Sequence, residues 1–291
     1  MEAKKIFITG ATGNIGKSLI KYLLEQEGTD QIIAGVRNVE RAKGQFPAHE
    51  RLTFRVFDFE DQTTFNALKE VDRVFLLRPP HLADVDRYFK PLIDAFQQNQ
   101  INQVAFLSVQ GVEKSKVIPH HKIEKLIVES GMEYIFVRPS YFMQNLTTTL
   151  YEELKTHGTI TLPAGNAVFN WVDIENIGEA SAILLSNFEQ YKNRPFEITG
   201  GENLSFSEVV SMINQEIETQ LKYRSVNPFK FFLLKKRQGT AVPFIMVMIM
   251  LHFLPRFQSA PKCSDAYTLL SKKLPTTIRE FAKREQQLLR P

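Results

Sequence analysis

Three glycines at three-residue spacing sit directly between an apolar run and a helical stretch. Lys4-Lys5-Ile6-Phe7-Ile8-Thr9 leads into Gly10-Ala11-Thr12-Gly13-Asn14-Ile15-Gly16, and helical periodicity continues from about Ile15 to Gln26. Glycines in a strand–turn–helix junction allow a tight turn and bring backbone N–H groups at the helix start close to a bound pyrophosphate. The helix dipole favours its negative charge, and the last glycine lets the helix pack closely on the strand. Thr12 and Asn14 add a hydroxyl and an amide. The spacing is GxxGxxG, not the commoner GxGxxG, so its position between strand and helix carries the reading.

Further apolar runs follow at intervals that admit helices: QIIAGV, LTFRVF, RVFLL, NQVAFLS and EYIFVR. Strands this uniformly apolar suit a parallel sheet covered by helices on both faces, with right-handed crossovers between them. The expected class is α/β, a doubly wound parallel sheet. After about residue 140 the pattern changes to helices with short strand candidates, TITL, NWV, PFEIT and LKYRSV. The expected organisation is a nucleotide-binding domain over 1–150 and a smaller, mostly helical lobe over 151–291, packed on it without a flexible linker. Within that lobe AVPFIMVMIMLHFL, residues 241–254, would be about 21 Å long as a helix, short of the ~30 Å hydrocarbon core. It reads as a buried helix or cleft wall, with a dimer interface or a membrane-surface segment as the other readings.

Composition excludes several classes. With 43% hydrophobic and 23% charged residues the chain is neither collagenous nor disordered. One cysteine, Cys263, rules out an internal disulfide and a cysteine metal cluster, and the six histidines show no HxxxH or HExxH spacing, so no metal site is expected. The first residues lack the apolar core of a signal peptide, which makes the cytoplasm the expected compartment. The net charge of +4 is uneven: residues 1–221 carry −7 and residues 222–291 carry +11. A basic segment of this kind marks a contact surface for an acidic partner or a solvated face. Nucleic acid is not the expected partner, a homodimer is one expectation, and a small-molecule substrate is the main one.

The end of the second apolar run reads Ala34-Gly35-Val36-Arg37-Asn38. Sites for NAD place an acid there for the ribose 2′-OH, whereas sites for NADP accept the 2′-phosphate with an arginine. Arg37 therefore points to NADP(H), held by charge-assisted bidentate hydrogen bonds.

Together, the glycine loop, Arg37, Asp58-Phe59, His121-Lys122 and Arg138-Pro139-Ser140-Tyr141-Phe142-Met143-Gln144-Asn145 resemble the NmrA-like group of atypical short-chain dehydrogenases/reductases. Trp171-Val172-Asp173-Ile174-Glu175-Asn176-Ile177-Gly178 and Leu274-Pro275-Thr276-Thr277-Ile278-Arg279-Glu280-Phe281 extend the resemblance over nearly the whole chain; it is weakest across 225–265. Within the group the chain is most similar to bacterial quinone oxidoreductases and triphenylmethane-dye reductases. The resemblance implies a Rossmann-type fold and NADP(H), bound by Gly10, Thr12, Gly13, Asn14, Ile15, Gly16 and Arg37. It places Asp58 and Phe59 at the adenine, with Leu77, Arg78, Ser108, Lys122, Pro139 and Ser140 along the rest of the cofactor.

The chain departs from the better-known short-chain dehydrogenases, which carry Tyr-x-x-x-Lys: four residues before Lys122 stands Ile118, which transfers no proton. Lys122 would stabilise charge developing on a substrate oxygen. His121, Tyr141 and Ser108 are the candidate proton donors. Pro79-Pro80 forms a rigid rim, and Phe142, Asn145, Trp171 and Phe232 are candidate acceptor contacts. The leading reading is an oxidoreductase that passes hydride from NADP(H) to a small conjugated or aromatic acceptor, quinone- or dye-like. The rivals are an NADP(H)-sensing regulator and a nucleotide-sugar epimerase. Ile118 and Arg37 argue against the epimerase.

Overall fold

A computed structural model describes residues 3–291. The chain divides into two compact units. Of the described residues, the first comprises 3–139, 174–198 and 266–273, and the second 140–173, 199–265 and 274–291.

The first unit is built on seven strands: β1 (Lys5–Ile8), β2 (Gln31–Val36), β3 (Leu52–Val56), β4 (Arg73–Leu77), β5 (Gln103–Leu107), β6 (Glu133–Pro139) and, much later in the chain, Arg194–Ile198. The order is β3-β2-β1-β4-β5-β6 with Arg194–Ile198 at the far edge, and every pairing is parallel. The continuous apolar runs are buried, as a sheet covered on both faces requires: Ile6, Phe7, Ile8, Val74, Phe75, Leu76 and Val104 are at 0% exposure. The chain runs outward from β1 to β3, then crosses back to β4, which leaves a topological switch point between β1 and β4 at the C-terminal edge.

The second unit holds two small sheets. Strand β7 (Tyr141–Phe142) pairs parallel with β9 (Val168–Val172), which pairs antiparallel with Asn203–Ser205. Strand β8 (Thr159–Leu162) pairs parallel with Lys222–Ser225. Two helices here start on reciprocal side-chain caps: Ser205 with Glu208 opens Phe206–Ile217, and Thr277 with Glu280 opens Ile278–Arg284. The carboxylate of Asp173, 0% exposed, accepts from Gln144 and from Arg284 at 2.6 and 2.7 Å. That satisfies a buried charge that would otherwise be costly.

Two expectations are corrected. The chain is not cut once near residue 150. Residues 174–198 return to the first unit because their helix, Ile174–Ser186, packs on the Asn14–Glu25 helix and their strand, read as PFEIT, extends the large sheet beside β6. The 241–254 run forms a helix, Val242–Phe253, but it is not a buried one. Ile245, Met248 and His252 are buried and Ile249 packs half-buried against the core, while most of the other side chains are exposed. No helix among the described residues is long and apolar enough to cross a membrane.

The return of the chain depends on a close approach. A Cβ at Gly178 would lie 2.1 Å from Ser18 Oγ and 2.8 Å from the Ser18 carbonyl carbon, so the two helices touch where one has no side chain. Gly178→Ala is expected to lower stability by about 1–3 kcal/mol, the usual result of overpacking. A fall in the urea midpoint at unchanged slope is the readout, and an unchanged midpoint would refute the contact.

Candidate active site

In the first unit the glycine loop leaves β1 at the switch point. Thr9, fully buried, ties β1 to β4: its hydroxyl accepts from the Leu77 amide at 2.7 Å and lies 3.2 Å from the Leu77 carbonyl. Gly10 follows at φ +60°, where a side chain would be strained and would also press on Leu77 Cδ2 at 3.0 Å. At Gly16 a Cβ would meet Gly10 O at 2.4 Å and Ala11 Cα at 2.7 Å, so only glycine lets the helix start this close to the strand. The Asn14–Glu25 helix has no side-chain cap at Gly13 and no acid in its first turn. Its first N–H groups thus meet solvent with the positive end of the dipole uncompensated, which is an anion site in form. Thr12, Gly13 and Asn14 are exposed there, whereas the Ile15 side chain is core.

Neighbouring strands end at the same edge. Ile8 pairs in register with Ala34, so Arg37 leaves β2 beside the loop. Arg37 is exposed and in no ion pair among the described residues, and Asn38 next to it caps the following short helix. Asp58 follows β3 and accepts from the Glu60 amide at 3.0 Å. It does not cap the next helical turn; Asp61 does. Phe59 is 7% exposed, its ring 5.1 Å from Phe57 and 5.6 Å from Phe89. The expectation of an adenine contact by this ring is therefore corrected to a core role.

After β4, Arg78 donates from one nitrogen to the carbonyls of Pro79, Pro80 and Leu82 at 2.9–3.0 Å. Its Nε is buried without a partner. Burial with no carboxylate beside it pulls its pKa down. After β5, Ser108 is 2% exposed and its hydroxyl has no partner in the chain. Two orphaned polar atoms on adjacent strand ends fit a polar ligand that completes them. Lys122 lies on the Pro119–Glu129 helix, exposed and in no ion pair among the described residues.

His120, the neighbour of the candidate His121, is a perturbed histidine. Burial, with the Arg78 charge adding to it, pushes its pKa down to about 4, and its ring lies 6.1 Å from that of Phe106. The signal was present in the helical phase: His120 shares a face with the buried Ile123 and Ile127.

In the second unit Tyr141 is enclosed by aromatic rings, with Trp171 at 4.9 Å, Phe169 at 5.3 Å and Phe206 at 5.9 Å. Its hydroxyl lies 2.9 Å from His252 Nε2, and His252 Nδ1 lies 2.7 Å from the Met248 carbonyl. A carbonyl only accepts, so Nδ1 carries the proton and Nε2 accepts from Tyr141. Burial pushes the tyrosine pKa up, a hydrogen bond to Asn145 partly opposing it, and pushes His252 down to about 4. Tyr141 is thus a half-buried phenol of the second unit whose hydroxyl is engaged by His252.

A model of the NmrA-like family matches residues 2–282. The chain belongs to the NmrA-like family. It is 27% identical over 279 residues to prestalk A differentiation protein A of Dictyostelium discoideum, covering 96% of this chain and 91% of that one. In structure it is similar to the Citrobacter sp. triphenylmethane reductase solved with NADP(H), with a TM-score of 0.83, 23% identity, and coverage of 96% of this chain and 99% of that one. It is also similar to the NADPH-dependent quinone oxidoreductase QOR2 of Escherichia coli solved with NADPH, with a TM-score of 0.82, 20% identity, and coverage of 96% and 99%.

The remaining nominees of this NmrA-like chain divide by burial. Pro80 is exposed, and Phe142, Asn145 and Phe232 are partly exposed, as contact residues need to be. Trp171 is 1% exposed and its indole donates to the Leu204 carbonyl at 2.9 Å, so its place among the acceptor contacts is corrected to the core. Ser140 donates to Asn170 Oδ1 at 2.6 Å, which also accepts from the Gly200 amide. That hydroxyl is engaged inside the second unit, and Pro139 is a buried strand end whose carbonyl accepts from the Gln110 amide. A wide concavity of about 1140 Å³ opens at the other edge of the large sheet, among Lys4, Lys5, Asp30, Glu70 and Asp72. Open α/β sheets bind ligands at strand C-termini, and these charges are largely paired with one another, so it is not the candidate site.

The two perturbed histidines predict a pH dependence of stability. Each binds its proton less readily folded than unfolded, so between pH ~6.5 and ~4 the unfolded chain holds more protons and stability falls as pH falls. Above pH ~6.5 this contribution is complete. Each is worth on the order of 3 kcal/mol at most. His252→Gln should flatten the fall in urea midpoint between pH 7 and pH 4.5; a slope identical to that of the unmodified protein would refute the assignment.

Proposed function

We propose that this chain is an NADP(H)-dependent oxidoreductase for a small conjugated acceptor of the quinone or dye class. The observation that carries the reading is the uncapped helix start behind Gly10, Gly13 and Gly16, with an unpaired Arg37, and no acid, at the end of the adjacent strand. Backbone N–H groups at Asn14 and Ile15, which open the helix, hold the pyrophosphate and Arg37 holds the 2′-phosphate. Leu77, Arg78 and Ser108 line the path toward the nicotinamide. The Arg78 Nε and the Ser108 hydroxyl gain the partners that the chain itself does not give them. Lys122 brings an exposed positive charge to the nicotinamide ribose and to negative charge developing on the acceptor.

When bound, NADPH supplies a hydride, that is two electrons and one proton, to the acceptor. A quinone then needs one further proton to become a hydroquinone, and a cationic dye needs none. Ile118 stands where a tyrosine acid would be, and His120 is neutral at pH 7. A site without the tyrosine acid suits acceptors that water can protonate after hydride arrives, or that need no proton. It does not suit simple ketones. The names of the similar proteins, a quinone oxidoreductase and a triphenylmethane reductase, support the same acceptor class.

Two measurements test this. Arg37→Ser is expected to raise the NADPH Kd about ten- to hundred-fold, the worth of a hydrogen-bonded charge contact, while the NADH Kd moves by less than about three-fold. Equal losses for both would sink the NADP assignment. In the second, NADPH consumption is followed with quinones, triphenylmethane dyes and unactivated ketones. Turnover on the first two and none on the ketones is expected. NADPH binding without turnover on any of them would count against an enzyme.

A further inference from the structure

The second unit carries a surface that catalysis does not use. On the Val242–Phe253 helix, Val242, Phe244, Met246, Val247, Met250 and Leu251 are each 45–53% exposed, because the helix is anchored on one side, through Ile245, Met248, Ile249 and His252. The preceding helix, Pro228–Arg237, packs beside it and exposes Phe229 at 73%, and Phe257 just beyond it is exposed at 74%. Large apolar side chains gathered in this way on a soluble fold mark an interaction surface. The same stretch is free of acids: residues 219–264 contain eight Lys and Arg and no Asp or Glu. One of the eight, Lys235, is paired with Glu153 at 3.2 Å. Lys230, Lys236 and Arg237 are exposed and in no ion pair among the described residues.

We propose that this helix pair is a docking surface for an anionic lipid membrane, on which the Val242–Phe253 helix lies in the plane of the interface. Charge decides between occupants. A second copy related by a twofold axis would set the acid-free basic segment against itself, which is repulsive. A nucleic acid would answer the positive charge but leave the apolar side chains in water. An anionic bilayer satisfies both, with apolar side chains entering the acyl boundary to a depth of ~5–10 Å and Lys and Arg at the phosphate level. At twelve residues the helix is ~18 Å long, too short to span and suited to lying flat. The inference does not rest on the proposed activity, since none of these residues belongs to the candidate cofactor site.

The test uses the full chain with phosphatidylcholine vesicles made with and without phosphatidylglycerol. Co-sedimentation is expected with the anionic vesicles, weak with the neutral ones, and reduced by high salt. The triple variant Lys230→Gln/Lys236→Gln/Arg237→Gln should weaken binding at least about ten-fold. Val247→Ser/Met250→Ser/Leu251→Ser should do so too, because it removes exposed apolar surface. Both sets change exposed positions, and an unchanged urea midpoint and NADPH titration show that each variant is folded. Absence of sedimentation with either vesicle overturns the proposal, as does equal, salt-independent binding to both. So does an apolar triple variant that binds vesicles unchanged while converting a dimer to a monomer by light scattering, which would make the face a self-association surface. Vesicle binding that a DNA duplex abolishes and the apolar triple variant leaves intact would mark a polyanion site and overturn it as well.

Discussion

The structure depends on the closeness of the first helix to the first strand. Gly16 sits where a Cβ would lie 2.4 Å from Gly10 O, and Gly10 itself adopts a left-handed φ of +60°. Those two backbone facts aim the helix start at the strand's end, so that the dipole and the unpaired N–H groups meet at the point where the sheet reverses its order. The Thr9 hydroxyl holds β4 against β1 at that point, and β4 carries Leu77 and Arg78 to the same edge. A side chain at either glycine would move the helix off the sheet. The Ile174–Ser186 helix, which packs on it through Gly178, would then lose its seat.

Much of this was legible in the sequence because the determinants are local. Uniformly apolar runs name the strands of a covered parallel sheet, and glycines between strand and helix mark the anion-binding turn. An arginine in place of an acid is visible at the end of β2 without any structure. What was not legible depends on partners distant in sequence. The Arg194–Ile198 strand was seen, but pairing with β6 rather than with its near neighbours is decided by packing across more than fifty residues. Trp171 was an expected acceptor contact, and the resemblance placed Ser140 at the cofactor. Both are engaged within the second unit, by the Leu204 carbonyl and by Asn170.

The Val242–Phe253 helix shows a different limit. A run that is apolar at every position has no periodicity to show which face is buried, so composition alone read as burial. The spacing of Ile245, Met248, Ile249 and His252 distinguishes the inner face, and the stripe reaches its last turn once the histidine is counted as a core residue. His120 repeats the lesson at smaller scale. Of two adjacent histidines that look equivalent in the sequence, His120 lies 6.1 Å from the Phe106 ring and is held neutral near pH 7 by burial.

Burial alters proton affinity within each unit separately: in the first it holds His120 neutral near pH 7, and in the second it does the same to His252 and raises the pKa of Tyr141. Arg78 adds positive potential beside His120 with no carboxylate to balance it. Such an environment favours arrival of negative charge over delivery of protons. The uncompensated charge of Arg78 and the orphaned Ser108 hydroxyl therefore give the strand ends of the first unit the character of a seat for a polar, negatively charged ligand.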